Sequence, residues 1–176
     1  MALAGAPKST ELRGEQIVQA LAATSVTRTD VDDVLEALVG HQSSAVRADA
    51  ALALASRRPD QARSLWAPWL SSRSTNERRA AEMMITRYGL ASDLPEVIRI
   101  TTHRSKPPTG TTHWPPLAAE SIDFLVRHRA EPDAADALDA LTARWSRLDD
   151  DLRRWISENH ADLVPGTAAD DGAAAN

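Results

Sequence analysis

Five histidines, His41, His103, His113, His128 and His160, are the nitrogen ligands this sequence offers to a metal, and their spacing does not favour one. No His-Glu-x-x-His run and no histidine pair at helical spacing occurs. His103 and His113 stand near the two ends of one loop, within Thr101-Thr102-His103 and Thr111-Thr112-His113, and could in principle meet. Two histidines without a nearby carboxylate make a poor zinc set. There are no cysteines, which removes disulfides, thiolate nucleophiles and Cys-based metal sites. Neither a metal nor a cofactor is expected. Adjacent carboxylates occur at Asp32-Asp33, Asp149 to Asp151 and Asp170-Asp171. Neighbours on a helix point apart, so these do not make facing acid/base pairs, and they suit first-turn dipole partners and solvated surface instead. With no Gly-x-Ser-x-Gly, phosphate loop or dinucleotide fingerprint, the expectation is a non-enzymatic protein.

Charge carries more positional information than any catalytic pattern. Of 20 basic residues only Lys8 and Lys106 are lysines. The formal net charge of −5 conceals an asymmetry: residues 1–40 hold 3 basic and 6 acidic groups, residues 41–115 hold 11 and 6, and residues 116–176 hold 6 and 13. The middle of the chain is basic and its ends are acidic.

Helices must position these groups. Val31, Val34, Leu35, Leu38 and Val39 follow the i, i+3, i+4, i+7, i+8 stripe of a helix with one buried face, and Leu65, Trp66, Trp69 and Leu70 make a second stripe. Leu138, Leu141 and Trp145 continue the pattern, and no segment sustains a strand alternation. Punctuation divides the chain into helices near 10–23, 30–40, 44–57, 60–71, 75–88, 93–103, 116–129, 133–145 and 149–159. Residues 1–8 and 164–176 lack an apolar period and are expected to be mobile tails around one domain at 9–163. Every apolar cluster is interrupted by Arg, Asp or Glu, so no membrane helix is expected. The opening residues lack a signal-peptide apolar run, and a soluble, cytoplasmic protein is the expectation.

Three segments superpose on an Ala-Ala pair: Val46 to Arg57 with Ala50-Ala51, Glu77 to Arg87 with Ala80-Ala81, and Pro116 to Arg127 with Ala118-Ala119. Each is preceded by a separate helix with its own apolar stripe, and the longer second interval is accounted for by an extended loop at 104–115. Val46-Arg47 followed by Ala50-Ala51 and Leu54 resembles the HEAT pattern, in which a Val-Arg pair opens the second helix of each hairpin and small alanines let it pack closely. The second unit has Arg78-Arg79 in place of Val-Arg, and the third has Pro116-Leu117. The resemblance covers residues 30–129, and 133–159 by helix pairing alone. It implies an all-α fold, a short right-handed α-α superhelix of HEAT-like (armadillo-type) hairpins, with the helix at 10–23 and the final pair as polar caps. Some HEAT-like proteins are enzymes, among them a bilin lyase class and a class of alkylpurine DNA glycosylases. No catalytic motif of either is reproduced here.

In such a solenoid the turns joining first to second helices share one edge, and here they carry Arg47, then Arg73, Arg78 and Arg79, then Arg104 and Lys106. A basic edge of this kind receives an acidic protein surface or phosphates. The plainer alternative is solvated arginine with ladder pairing to Asp49, Glu77 and Glu82. Trp66, Trp69, Trp145 and Trp155 lie on apolar stripes and are expected in the core. Trp114 differs, because with His113 it belongs to a long proline-rich loop, Lys106 to Pro116. It is either a contact residue or a plug folded over its own hairpin. The expected function is protein–protein interaction, as a scaffold or adaptor, with an unidentified protein partner. Nucleic-acid binding through the same arginines is the alternative, opposed by the acidic ends.

Overall fold

A computed structural model of the chain describes residues 29–105, 116 and 118–166. The expected helix at 10–23, the tail at 1–8, most of the tail at 164–176, and Lys106, His113 and Trp114 lie outside the described residues. All regular structure among the described residues is helical: α1 (Thr29–Val39), α2 (Ser44–Arg57), α3 (Ala62–Trp66), α4 (Thr75–Tyr88), α5 (Leu94–Arg104), α6 (Ala119–Arg127), α7 (Pro132–Thr142) and α8 (Asp150–Asn159). Helices α2 and α4 have the limits expected from the sequence, 44–57 and 75–88. The expected helix at 60–71 is instead a 3-10 turn at Pro59–Gln61, the short α3, and a second 3-10 turn at Ala67–Trp69. Pro68 is the physical reason, since it has no N–H to give the carbonyl four residues back and its ring crowds that turn.

The chain divides into two compact units, Met1–Gly89 and Leu90–Asn176. In the first, α2 packs against α1, α3 and α4, and α4 also packs on α3. A helix with neighbours on several sides needs small residues for close approach, and α2 buries Ala48, Ala50, Ala51, Ala53 and Ala55. Ala80 and Ala81 are buried on α4 in the same way. Val31 and Leu35 of α1 join Val46, Ala50, Ala53 and Leu54 of α2 in one apolar cluster. Val34, expected on that stripe, is 45% exposed.

Helices α1 and α2 form an antiparallel hairpin, so the first turn of α1 meets the last turn of α2. There Asp32 accepts from Arg57 and, at 2.9 Å, from Arg58, which also donates to Glu36 at 2.6 Å. The hydrogen bond from Arg57 is the main reason the Asp32 carboxyl titrates below the ordinary aspartate range; burial opposes it and Arg58 adds to it.

In the second unit α6 packs against α5, α7 and α8. Ala118 and Ala119, the third alanine pair, are buried together with Ile122, Phe124 and Leu125 of α6. Ser121 is buried too, and its hydroxyl donates to the Ala118 carbonyl at 2.8 Å, which satisfies a polar group that would otherwise be costly in the core. Helix α8 is capped by Asp149, whose carboxylate accepts from the Asp151 amide at 3.0 Å, and it inserts Leu152, Trp155 and Ile156. After its last turn His160 Nε2 lies 2.7 Å from Asp123 Oδ1 of α6, with the Trp155 ring 5.3 Å from the imidazole. Among the described residues no helix is long and apolar enough to cross a membrane.

Candidate interaction edge

The clearest construction of polar side chains in the first unit surrounds the start of α4, where the chain reads Trp69-Leu70-Ser71-Ser72-Arg73-Ser74-Thr75-Asn76-Glu77-Arg78-Arg79. Ser74 is the N-cap, and its hydroxyl accepts from the Glu77 amide at 3.4 Å. In a simple capping box the glutamate would reach back to the amide of its own cap. Here the Ser74 amide donates to Ser72 Oγ at 3.0 Å, and the Ser72 hydroxyl donates to Glu77 Oε2. The serine is a relay, which leaves the other carboxylate oxygen for a more distant partner.

That partner is Arg47 on α2, whose Nε donates to Glu77 Oε1 at 2.7 Å while a terminal guanidinium nitrogen donates to the same oxygen. The remaining terminal nitrogen of Arg47 donates to the carbonyls of His41 and Gln42 at 2.6 and 2.8 Å, closing the turn before α2. Asn76 donates to Ser44 Oγ at 3.1 Å across the same pair of first turns. Glu77 is buried, and the Ser72 hydrogen bond, with Arg47 behind it, holds its carboxyl below the ordinary glutamate range against the opposing effect of burial.

The four arginines expected on this part of the edge therefore fall into two kinds. Arg47 is tied to Glu77, one of the ladder partners anticipated for it, and Arg78 donates to the Ser72 carbonyl at 2.6 Å. Both are half-buried. Arg73 and Arg79 are exposed and have no hydrogen bond or ion pair among the described residues. Arg104, in the last turn of α5 in the second unit, is half-buried and engaged within the fold. Lys106, His113 and Trp114 lie outside the described residues.

Comparison with protein-family models, with curated proteins and with solved structures finds no match to this chain.

The tryptophans correct the sequence reading in part. Trp66 and Trp155 are buried, whereas Trp69 and Trp145, expected in the core, are half-buried. Both of the latter belong to 3-10 turns, at Ala67–Trp69 and Trp145–Arg147, where the helical period that aligned them with their stripes is lost. For Trp69 this brings an aromatic to the corner that presents Arg73, since the Ser72 amide donates to the Trp69 carbonyl at 3.0 Å. The Asp32, Arg57, Arg58 and Glu36 group was not anticipated, although an acid in the first turn of one helix and bases in the last turn of the next signal it wherever the two are antiparallel.

The geometry suits recognition. A backbone pinned at Ser72, Ser74, Glu77 and Arg78 carries two unpaired cations, Arg73 and Arg79, and follows directly on the half-buried Trp69. Among the described residues no group of three or more His, Asp or Glu side chains is placed to hold a metal.

Proposed function

We propose that the chain is a non-enzymatic protein–protein interaction module, a short right-handed α-α superhelix of HEAT-like hairpins. Its first unit holds an acidic surface of a protein partner at the start of α4. The observation that carries this reading is the contrast within one turn. The backbone from Ser72 to Arg78 is held by side-chain hydrogen bonds, yet Arg73 and Arg79 are left without partners. A rigid mount lowers the entropic cost of binding. Arginine and tryptophan are the residue types most enriched at the energetic centres of protein interfaces, and Trp69 stands at the same corner. The alanine pairs Ala50-Ala51 and Ala80-Ala81 support the repeat reading, because both are buried near the middle of their helices, α2 and α4, whereas the buried pair Ala118-Ala119 stands at the very start of α6.

The test is affinity capture from a lysate with the intact chain and with an Arg73→Glu, Arg79→Glu variant, each with and without nuclease. The expected result is a protein captured by the intact chain, retained after nuclease and lost with the variant. Loss on nuclease treatment would instead assign the arginines to nucleic-acid phosphates, with the steep salt dependence that counterion release imposes. Equal capture by both chains would move the site to the exposed face of the second helices.

A further inference from the structure

We infer that the acidic surface received by the Arg73 and Arg79 corner is helix α7 of a second copy of this chain. The inference rests on the reading just given and names its partner. Helix α7 places Asp133, Asp136 and Asp139 three residues apart, with Glu131 just before them, and all four are exposed. None of the four has an ion pair or a side-chain hydrogen bond among the described residues, and α7 contains no basic residue. At about 1.5 Å per residue the three aspartates line about 9 Å of one helix side. Ala140 and Ala143 are exposed next to them, and Arg144, whose Nε donates to the Ala140 carbonyl at 3.0 Å, bounds the stripe at its C-terminal end.

Charge complementarity selects a second copy as the occupant. The chain has two exposed, unpaired arginines, Arg73 and Arg79, on one unit and an exposed, unpaired carboxylate stripe on the other. The two faces differ, so the contact is head-to-tail, and it extends into a chain or closes into a ring according to the rotation between copies. Exposed ion pairs each contribute little, so association should be weak and should depend on several pairs acting together with the indole.

Sedimentation velocity of the intact chain over a range of concentrations provides the test. At about 50 mM salt the sedimentation coefficient is expected to rise with protein concentration, and at about 500 mM the dissociation constant should be at least about tenfold weaker, because the Debye length shrinks severalfold. Arg73→Glu with Arg79→Glu should sediment as a monomer, as should Asp133→Arg with Asp136→Arg and Asp139→Arg. A one-to-one mixture of the two variants should associate again, because each supplies the face the other has lost. Helical circular dichroism of each variant shows that folding is retained. Wild-type protein that stays monomeric at low salt overturns the inference while leaving an acidic partner of another kind in place. Self-association that the Arg variant loses and the Asp variant keeps also overturns it, since the occupant is then not α7. If both variants associate as wild type does, the inference and the assignment of the arginine corner fail together.

Discussion

Arg47 on α2 and Glu77 on α4, 30 residues apart, form a two-point ion pair that joins the first turns of two helices. The interval is the one that separates Ala50-Ala51 from Ala80-Ala81, so the polar tie and the close-packed alanines mark corresponding places on α2 and α4. Glu77→Gln keeps the side chain's shape and removes its charge. It is expected to cost about 1.5–3 kcal/mol at neutral pH, the range for hydrogen bonds to charged groups, measured by urea unfolding. The pH dependence has a definite sign. The folded-state value of Glu77 lies below its ordinary 4.5, so its contribution is fully present above about pH 4.5 and is lost as the pH falls through the lowered folded value. In Glu77→Gln the loss of stability on acidification should accordingly be shallower than in wild type. An equal acid slope in the two proteins would mean that Glu77 is not held as an anion.

Trp66 and Trp69 share an apolar stripe in sequence and part company in the fold. Trp66→Ala empties a buried site and is expected to cost about 3–5 kcal/mol. Trp69→Ala removes a half-buried ring at the surface and should cost clearly less, with thermal or urea unfolding as the measurement. Equal losses would place Trp69 in the core after all.

What was legible in the sequence, and what was not, follows from the range of the physics involved. The limits of α2 and α4 were legible because the signals that start and stop a helix act within a few residues: the expected 44–57 and 75–88 are Ser44–Arg57 and Thr75–Tyr88. The alanine pairs were legible as packing sites because a run of small residues on a helix has few other uses. The break at Pro68 is also local and was passed over in favour of the apolar stripe, and that displaced Trp69. Which arginine is structural was not fully legible. Arg47 and Arg79 stand near the starts of α2 and α4, and only the approach of α4 to α2 gives Arg47 a carboxylate. The Asp32 and Arg57 pair depends likewise on the antiparallel course of α1 and α2.

Ala81 is buried on α4, whose neighbours include α2 and α3. Ala81→Leu adds volume where no space exists, and overpacking of this kind typically costs about 1–3 kcal/mol. A Leu at exposed Arg79, two residues earlier on the same helix, is the control and should stay within about 0.5 kcal/mol of wild type. If both leucines are tolerated alike, the alanine pair is not a close-packing site.

The last prediction separates the two kinds of arginine by opposite signatures. Arg47 has its donors committed to Glu77 and to the carbonyls of His41 and Gln42, so Arg47→Ala leaves the buried Glu77 carboxylate with Ser72 as its remaining partner and unties the exposed turn before α2. The melting temperature should fall, and a loss of about 1.5–3 kcal/mol corresponds to several degrees for a domain of this size. Arg73 and Arg79 have no such commitments. Replacing both with Ala should leave the melting temperature and the helical signal near wild type, since surface substitutions away from special features usually stay within about 0.5 kcal/mol each. Affinity for the acidic partner should fall, and most steeply at low salt, where the removed charges act over the longest distance. Measured side by side, the first variant should lose stability in proportion to its buried contacts. The second should lose binding alone. A second variant that melts as early as the first would show that Arg73 and Arg79 hold the fold, and the corner would then have no unpaired charge to offer a partner.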